Sequence, residues 1–180
     1  MIRAFVSIPV PKNFLTEYGK IIRGSFSNND FYLQSEEKVH CTLVFLGNIT
    51  EEQSKRAIEI LQIVSKNHQS PMITINNVTI LQNRNFNRLV LSIEKTKQLM
   101  NIQKDLHHRL RAAAIGLIGE REYYPHITLG KIKKQREIKN TLPVLEQKSF
   151  FATTIDLMRS ALSSTGSTYD ILGRCNFSHA

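Results

Sequence analysis

The chain has 180 residues, 41% of them hydrophobic and 22% charged, with a net charge of +9 and an isoelectric point near 9.7. That length fits one domain or two closely joined lobes, and the balance is that of a chain with a core to bury, not of a disordered one. No run of about 18 apolar residues exists for a membrane-crossing helix, and Met1 to Pro9 is too short and too soon broken by proline for a secretory signal.

In chain order, Ile2 to Ile8 reads as a strand, ended by Pro9 and Pro11. Lys12 to Phe26 carries apolar residues near helical spacing, and Ser27 to Asp30 is a loop by composition. Phe31 to Leu33 is a short strand, and Val39 to Leu46 a longer one closed by Gly47-Asn48. Thr50 and Gln53 form a capping-box signature before a helix that runs to about Lys66, with Ala57, Ile58, Leu61 and Val64 as its apolar stripe. Pro71 to Leu81 and Arg88 to Ile93 are strands joined by a polar turn around Phe86. Lys97 to about Leu117 has the strongest helical periodicity, ended by Gly116 to Glu122. Tyr123 opens another strand, Lys134 to Asn140 a short helix, and Phe150 to Leu157 and Tyr169 to Phe177 form a closing hairpin around Ser163 to Ser167. Cys41 and Cys175 fit neither a disulfide framework nor a metal spacing and read as buried reduced thiols, so a cytoplasmic protein is expected.

One short phrase occurs twice. His40-Cys41-Thr42-Leu43 and His126-Ile127-Thr128-Leu129 are 86 residues apart. Chance gives about 0.4 His-x-Thr matches in a chain with six His and twelve Thr. Side chains alternate along a strand, so each imidazole shares a face with its hydroxyl, while Cys41, Leu43, Ile127 and Leu129 turn into a core. By the same count Phe45 falls on the core side and reads as structural. Two such strands in duplicated α+β lobes would face one groove. No glycine-rich phosphate loop indicates a doubly wound nucleotide-binding fold.

Two imidazoles in one groove make an acid–base pair that needs no metal, since both protonation states are accessible near pH 7. Threonine hydroxyls donate to phosphoryl oxygens, and a strained cyclic phosphodiester suits the set. No Gly-x-Ser-x-Gly elbow supports a serine hydrolase, and neither histidine has a third ligand at zinc spacing. His107 and His108 diverge by about 100° on a helix and read as surface or boundary residues. The excess of cations favours a polyanionic partner, and the basic run Lys131 to Arg136 directly follows the second motif.

The segments VHCTLVFLG and YYPHITLGK, with RAFVSIPVP at the start and LMRSALSSTGSTYDIL near the end, resemble the two-histidine phosphoesterase superfamily. Within it they are similar to the LigT-like branch of RNA 2′,3′-cyclic phosphodiesterases. The resemblance implies an α+β fold of two pseudo-symmetric lobes, each an antiparallel sheet with helices on its outer face, around a central groove, all within one bilobal domain over residues 1–180. It implies hydrolysis of RNA terminal 2′,3′-cyclic phosphate to 2′-phosphate without metal or cofactor, with reversible 2′,5′ ligation in some members. The expected partner is RNA or an oligonucleotide with a 2′,3′-cyclic phosphate end, with no membrane involved and the protein itself a monomer. Carried over by position, His40 is the acid that protonates the ribose O3′ and His126 the base that activates water, labels that the sequence allows to be exchanged. Thr42 and Thr128 would hold the phosphate.

The family commonly has arginine where this chain has Lys131, which keeps the charge without the planar fork. Strict alternation turns Lys131 away from His126; a bulge at Gly130 would re-aim it into the groove, and a solvent-exposed strand end is the alternative. Tyr124 shares the His126 face and could stack a base or pack at the groove edge. Other readings are a phosphodiesterase acting on 2′,5′-oligoadenylate or on a cyclic phosphate of ADP-ribose, and an RNA-binding module without catalysis.

Overall fold

The computed structural model describes residues 1–16, 19, 31–82, 87–116, 122–132, 148–163 and 166–178. The strands are β1 (Ile2–Pro9), β2 (Phe31–Leu33), β3 (His40–Ile49), β4 (Met72–Leu81), β5 (Asn87–Ile93), β6 (His126–Ile132), β7 (Lys148–Phe151), β8 (Thr154–Ser163) and β9 (Gly166–Asn176). Two long helices accompany them, α1 (Glu51–Asn67) and α2 (Lys97–Ala112), with a 3₁₀ turn over Glu36–Lys38 and a helical turn over 12–16. The fold is α+β.

The nine described strands join one antiparallel sheet in the order β7-β4-β5-β6-β3-β1-β8-β9, with β2 added alongside β6. Its halves are the two expected lobes, one with β3, β1, β8 and β9, the other with β7, β4, β5 and β6. They meet at a single bridge, Cys41 opposite Ile127. Farther along β6, its partner on that side is β2. The sheet therefore splays open between the two motif strands.

Apolar residues on one face of each lobe make the core. On β1 these are Ala4, Val6 and Ile8, which join Ala57, Leu61 and Val64 of α1 and Leu99, Ile102, Leu106 and Leu110 of α2 in a single cluster. Each of the valine, leucine and isoleucine side chains among them contributes about 1.5–3 kcal/mol when fully buried, so burying this face of both lobes is what fixes strand register. The opposite, concave face is left for polar groups. No helix among the described residues is long and apolar enough to cross a membrane.

The capping box at Thr50 forms in both directions, Gln53 N–H to Thr50 Oγ1 and Thr50 N–H to Gln53 Oε1, each 3.0 Å. Helix α2 stops five residues earlier than its apolar spacing predicts. Ala114 turns left-handed with φ 52°, and the Ala114 and Ile115 amides donate to the Arg111 and Leu110 carbonyls at 3.0 Å. That is a Schellman termination, and it buries Ile115 without continuing the helix. The expected strand over Phe150 to Leu157 is two strands: β7 pairs with β4 in one lobe and β8 with β1 in the other, so the chain crosses between lobes at Ala152-Thr153. Strand β3 runs through Gly47-Asn48 to Ile49 instead of closing there. The helix expected beyond residue 19, the loop at 27–30, most of the turn around Phe86, the helix at 134–140 and the basic run at 133–136 lie outside the described residues.

Candidate active site

The single bridge between β3 and β6 sets the geometry. With Cys41 opposite Ile127 in an antiparallel pair, His40 and Thr128 flank the bridge on one side and Thr42 and His126 on the other. Cys41 and Ile127 are fully buried in the core, so the four motif side chains project to the opposite, concave face. His40 and His126 are then diagonal neighbours across the bridge, a spacing of about 7–8 Å and somewhat less at Cβ. All four line one groove of about 520 Å³.

Each imidazole is held by the same device. His40 Nδ1 donates to the Lys38 carbonyl and His126 Nδ1 to the Tyr124 carbonyl, both at 2.8 Å and both two residues back along the chain. A carbonyl only accepts, so the neutral rings carry their proton on Nδ1 and offer an unprotonated Nε2. The Lys38 carbonyl also accepts from Gln34 Nε2, which fixes its direction. His40 lies against Phe5, ring centroids 4.7 Å apart at 27°, with Tyr169 edge-on at 5.3 Å. Burial lowers the pKa of both histidines, partly offset by these carbonyls; the charge of His126 lowers His40 further, and that of Arg88 lowers His126. Beneath them Cys41 is a buried free thiol pushed up to about 11 by desolvation, so it stays protonated. Cys175 is also buried and free.

Both motif strands carry a bulge at the same offset from their histidine. Opposite β1, Thr42 pairs with Ser7 and Val44 with Val6, leaving Leu43 as the extra residue. Opposite β5, Thr128 pairs with Val90 and Gly130 with Leu89, leaving Leu129 extra. Two consecutive residues on each strand are therefore buried, and alternation resumes with its parity reversed. The residue five beyond each histidine lands on the groove face: Phe45 on one strand, Lys131 on the other. For Lys131 the re-aiming bulge is the arrangement found, centred one residue before Gly130. For Phe45 the core expectation is wrong, because strict alternation does not survive the bulge; its ring is 66% exposed.

The register extends this correspondence to the neighbouring strands. Phe45 sits opposite Phe5, and Lys131 opposite Arg88. Lobe one thus presents the exposed ring of Phe45, backed by the buried ring of Phe5, where lobe two presents two cations. Tyr124 is not among the groove-lining side chains. Its carbonyl orients His126, and its ring lies 5.9 Å from the imidazole, 42% exposed. Sequence reasoning missed Arg3, Phe5, Gln34, Arg88 and Tyr169, which line the groove from other elements. Only the order of the strands brings them there, and the one local signal was the aromatic Phe5 in the opening strand. His68 pairs with Asp105 at 3.1 Å away from the groove, and His107 and His108 stay on α2. Among the described residues no three His, Cys, Asp or Glu side chains gather as a metal set.

A family profile described as the AKAP7 2′5′ RNA ligase-like domain matches residues 4–173. The chain belongs to the LigT-like two-histidine phosphoesterases. Among relatives of this LigT-like chain, the RNA 2′,3′-cyclic phosphodiesterase of Methanocaldococcus jannaschii is 28% identical over 94% of this chain and 98% of its own length. The protein of the same name from Thermotoga maritima is 26% identical over 97% and 95%. Solved structures share the fold: a Thermus thermophilus protein at TM-score 0.81 and 19% identity, covering 99% of each chain. E. coli LigT complexed with 3′-AMP follows at TM-score 0.77 and 19% identity, again covering 99% of each chain.

Proposed function

We propose that this chain hydrolyses the 2′,3′-cyclic phosphate at the end of an RNA to a 2′-phosphate, by proton transfer between two histidines. The observation that carries the proposal is the pair of Nε2 atoms on one groove face, each oriented by an Nδ1 hydrogen bond to a carbonyl just before its strand. The names of the relatives agree with it.

The contrast between the lobes orients the substrate. The nucleoside is placed over the Phe5–Phe45 side, where a base can stack on an exposed ring, and the non-bridging phosphoryl oxygens toward Thr42, Thr128, Lys131 and Arg88. Base stacking is thereby assigned to Phe45 in preference to Tyr124, whose ring lies outside the groove lining. The ribose O3′ then falls on the His40 side. His126 Nε2 takes a proton from water as its oxygen bonds to phosphorus, the P–O3′ bond breaks, and His40, protonated at Nε2, gives its proton to O3′. The threonine hydroxyls and the two cations stabilise charge developing on the phosphoryl oxygens. An RNA 5′-hydroxyl in place of water gives a 2′,5′ linkage by the same transfers. One bilobal domain supplies both histidines, so the monomer is the proposed active unit, and the two free thiols favour a reducing, cytoplasmic setting.

The test is turnover of an oligonucleotide ending in a 2′,3′-cyclic phosphate in excess EDTA, with the 2′-phosphate product identified. Undiminished turnover is expected. Loss of activity on chelation, or salt-dependent RNA binding without turnover, overturns the proposal.

A further inference from the structure

The groove does not end at the phosphoryl site. Strand β1 has no extra residue opposite either neighbour, so it alternates regularly and Arg3 shares the groove face with Phe5, about 6.6 Å farther along. Across from Ala4 on β3 is Gly47, where an added Cβ would meet nothing within 4 Å. The floor beside Arg3 is therefore open. Ser160 and Ser167, from the β8–β9 hairpin, line the same end.

The partners of the neighbouring arginines sharpen the contrast. Arg159 is held by Asp170 and Arg174 by the buried Asp156, each at 2.7 Å. Arg3, on the same lobe, has no carboxylate partner among the described residues. The groove thus reads, from one end to the other, as cations at Arg88 and Lys131, the two histidines, aromatic rings at Phe5 and Phe45, and a cation again at Arg3.

We propose that Arg3 forms a second phosphate subsite, for the 5′-phosphate of the nucleotide that carries the cyclic phosphate. This rests on the proposed phosphodiesterase reading and deepens it. A cyclic-phosphate RNA end presents an anion, then a nucleoside, then the anion that links it to the rest of the chain, which is the order of cation, aromatic surface and cation along the groove. The subsite makes the enzyme prefer a phosphorylated or chain-linked end over a free cyclic nucleotide. Arg3 is a binding residue in this account and takes no part in proton transfer.

The probes are adenosine 2′,3′-cyclic phosphate with and without a 5′-phosphate monoester, and the readout is the ratio of their kcat/KM values. The wild-type protein is expected to favour the 5′-phosphorylated substrate about tenfold at low salt, chiefly through KM, since a charge-assisted contact in a half-open groove is partly screened. The ratio should fall as salt rises, approach unity in Arg3→Ala, and stay between the two in Arg3→Lys. A wild-type ratio near unity, or a ratio unchanged by Arg3→Ala, overturns the subsite and leaves the phosphodiesterase proposal standing. Failure of the wild type to turn over the 5′-phosphorylated compound overturns the subsite, while failure on an oligonucleotide ending in a 2′,3′-cyclic phosphate overturns the phosphodiesterase proposal as well.

Discussion

If His40 and His126 act in one chemical step, removing the second after the first should cost little, and a double-mutant cycle measures this. His126→Ala deletes a ring whose Nδ1 hydrogen bond to the Tyr124 carbonyl lies at the surface, so water replaces it and the fold loses no more than about 1 kcal/mol. His40→Ala removes a more enclosed ring that stacks on Phe5, an aromatic contact worth about 0.5–1.5 kcal/mol. Neither change should unfold a chain whose core lies on the opposite face of the sheet. Each single variant should lose about 10²–10⁴ in kcat, or about 2.7–5.4 kcal/mol of barrier. Independent contributions would multiply to about 10⁴–10⁸ in the double variant; groups acting as a unit do not multiply. The double variant should therefore stay close to the slower single one. Initial rates on a cyclic-phosphate-ended oligonucleotide, with folding checked by circular dichroism, decide it. A single variant keeping more than a tenth of the wild-type rate removes that histidine from the mechanism, and fully multiplicative losses refute the shared step.

The direction of both histidine pKa values sets the pH response. Burial lowers each below its ordinary value of about 6.5, so the kcat/KM profile should be a bell displaced to the acid side of one built from unperturbed histidines, while the kcat profile moves back up because a bound anion favours both imidazolium forms. A monotonic profile, or a kcat/KM optimum above pH 7, contradicts this. The same lowered values mean that the unfolded chain takes up protons first as pH falls through about 6.5, so the histidines' share of stability is full above that pH and declines toward their folded values; the His40→Ala/His126→Ala double variant should lose less stability between pH 7 and pH 5 than wild type. Lys131→Ala should raise KM and weaken the salt dependence, Lys131→Arg should restore both, and unchanged kinetics in Lys131→Ala would place its side chain outside the phosphate's reach.

What was legible in the sequence was what depends on neighbours a few residues away. The His-x-Thr pairs announce their own face because alternation holds over three residues, and Thr50 with Gln53 announces its cap because both hydrogen bonds are local. Parity over six residues was not legible, since it depends on how many residues the partner strand places opposite. Phe45 was therefore assigned to the core, and Lys131 was left open between two positions. The end of α2 was misread for a related reason: Ala113 and Leu117 continue its apolar spacing in the sequence, yet a Schellman turn at Ala114 ends the helix and buries Ile115 instead. Arg3, Arg88 and Tyr169 were assigned no role, and only the sheet order brings them to the groove.

The two bulges also explain how a duplicated motif can serve an unsymmetrical reaction. The histidines, threonines, carbonyl partners and the bulge just past each threonine match between the lobes, with a second bulge at Leu46 on β3 alone, and a symmetric pair alone would bind a cyclic phosphate equally well in either sense. In-line displacement needs one sense, because water must enter opposite O3′. The residue five beyond each histidine, with its partner one strand away, is where the match breaks, into Phe45 with Phe5 and Lys131 with Arg88. An apolar surface on one side of phosphorus and positive charge on the other give the two orientations different energies. In the proposed mechanism, the acid and base roles of His40 and His126 would then follow from the side on which the nucleoside lies, since both rings are oriented by the same carbonyl hydrogen bond.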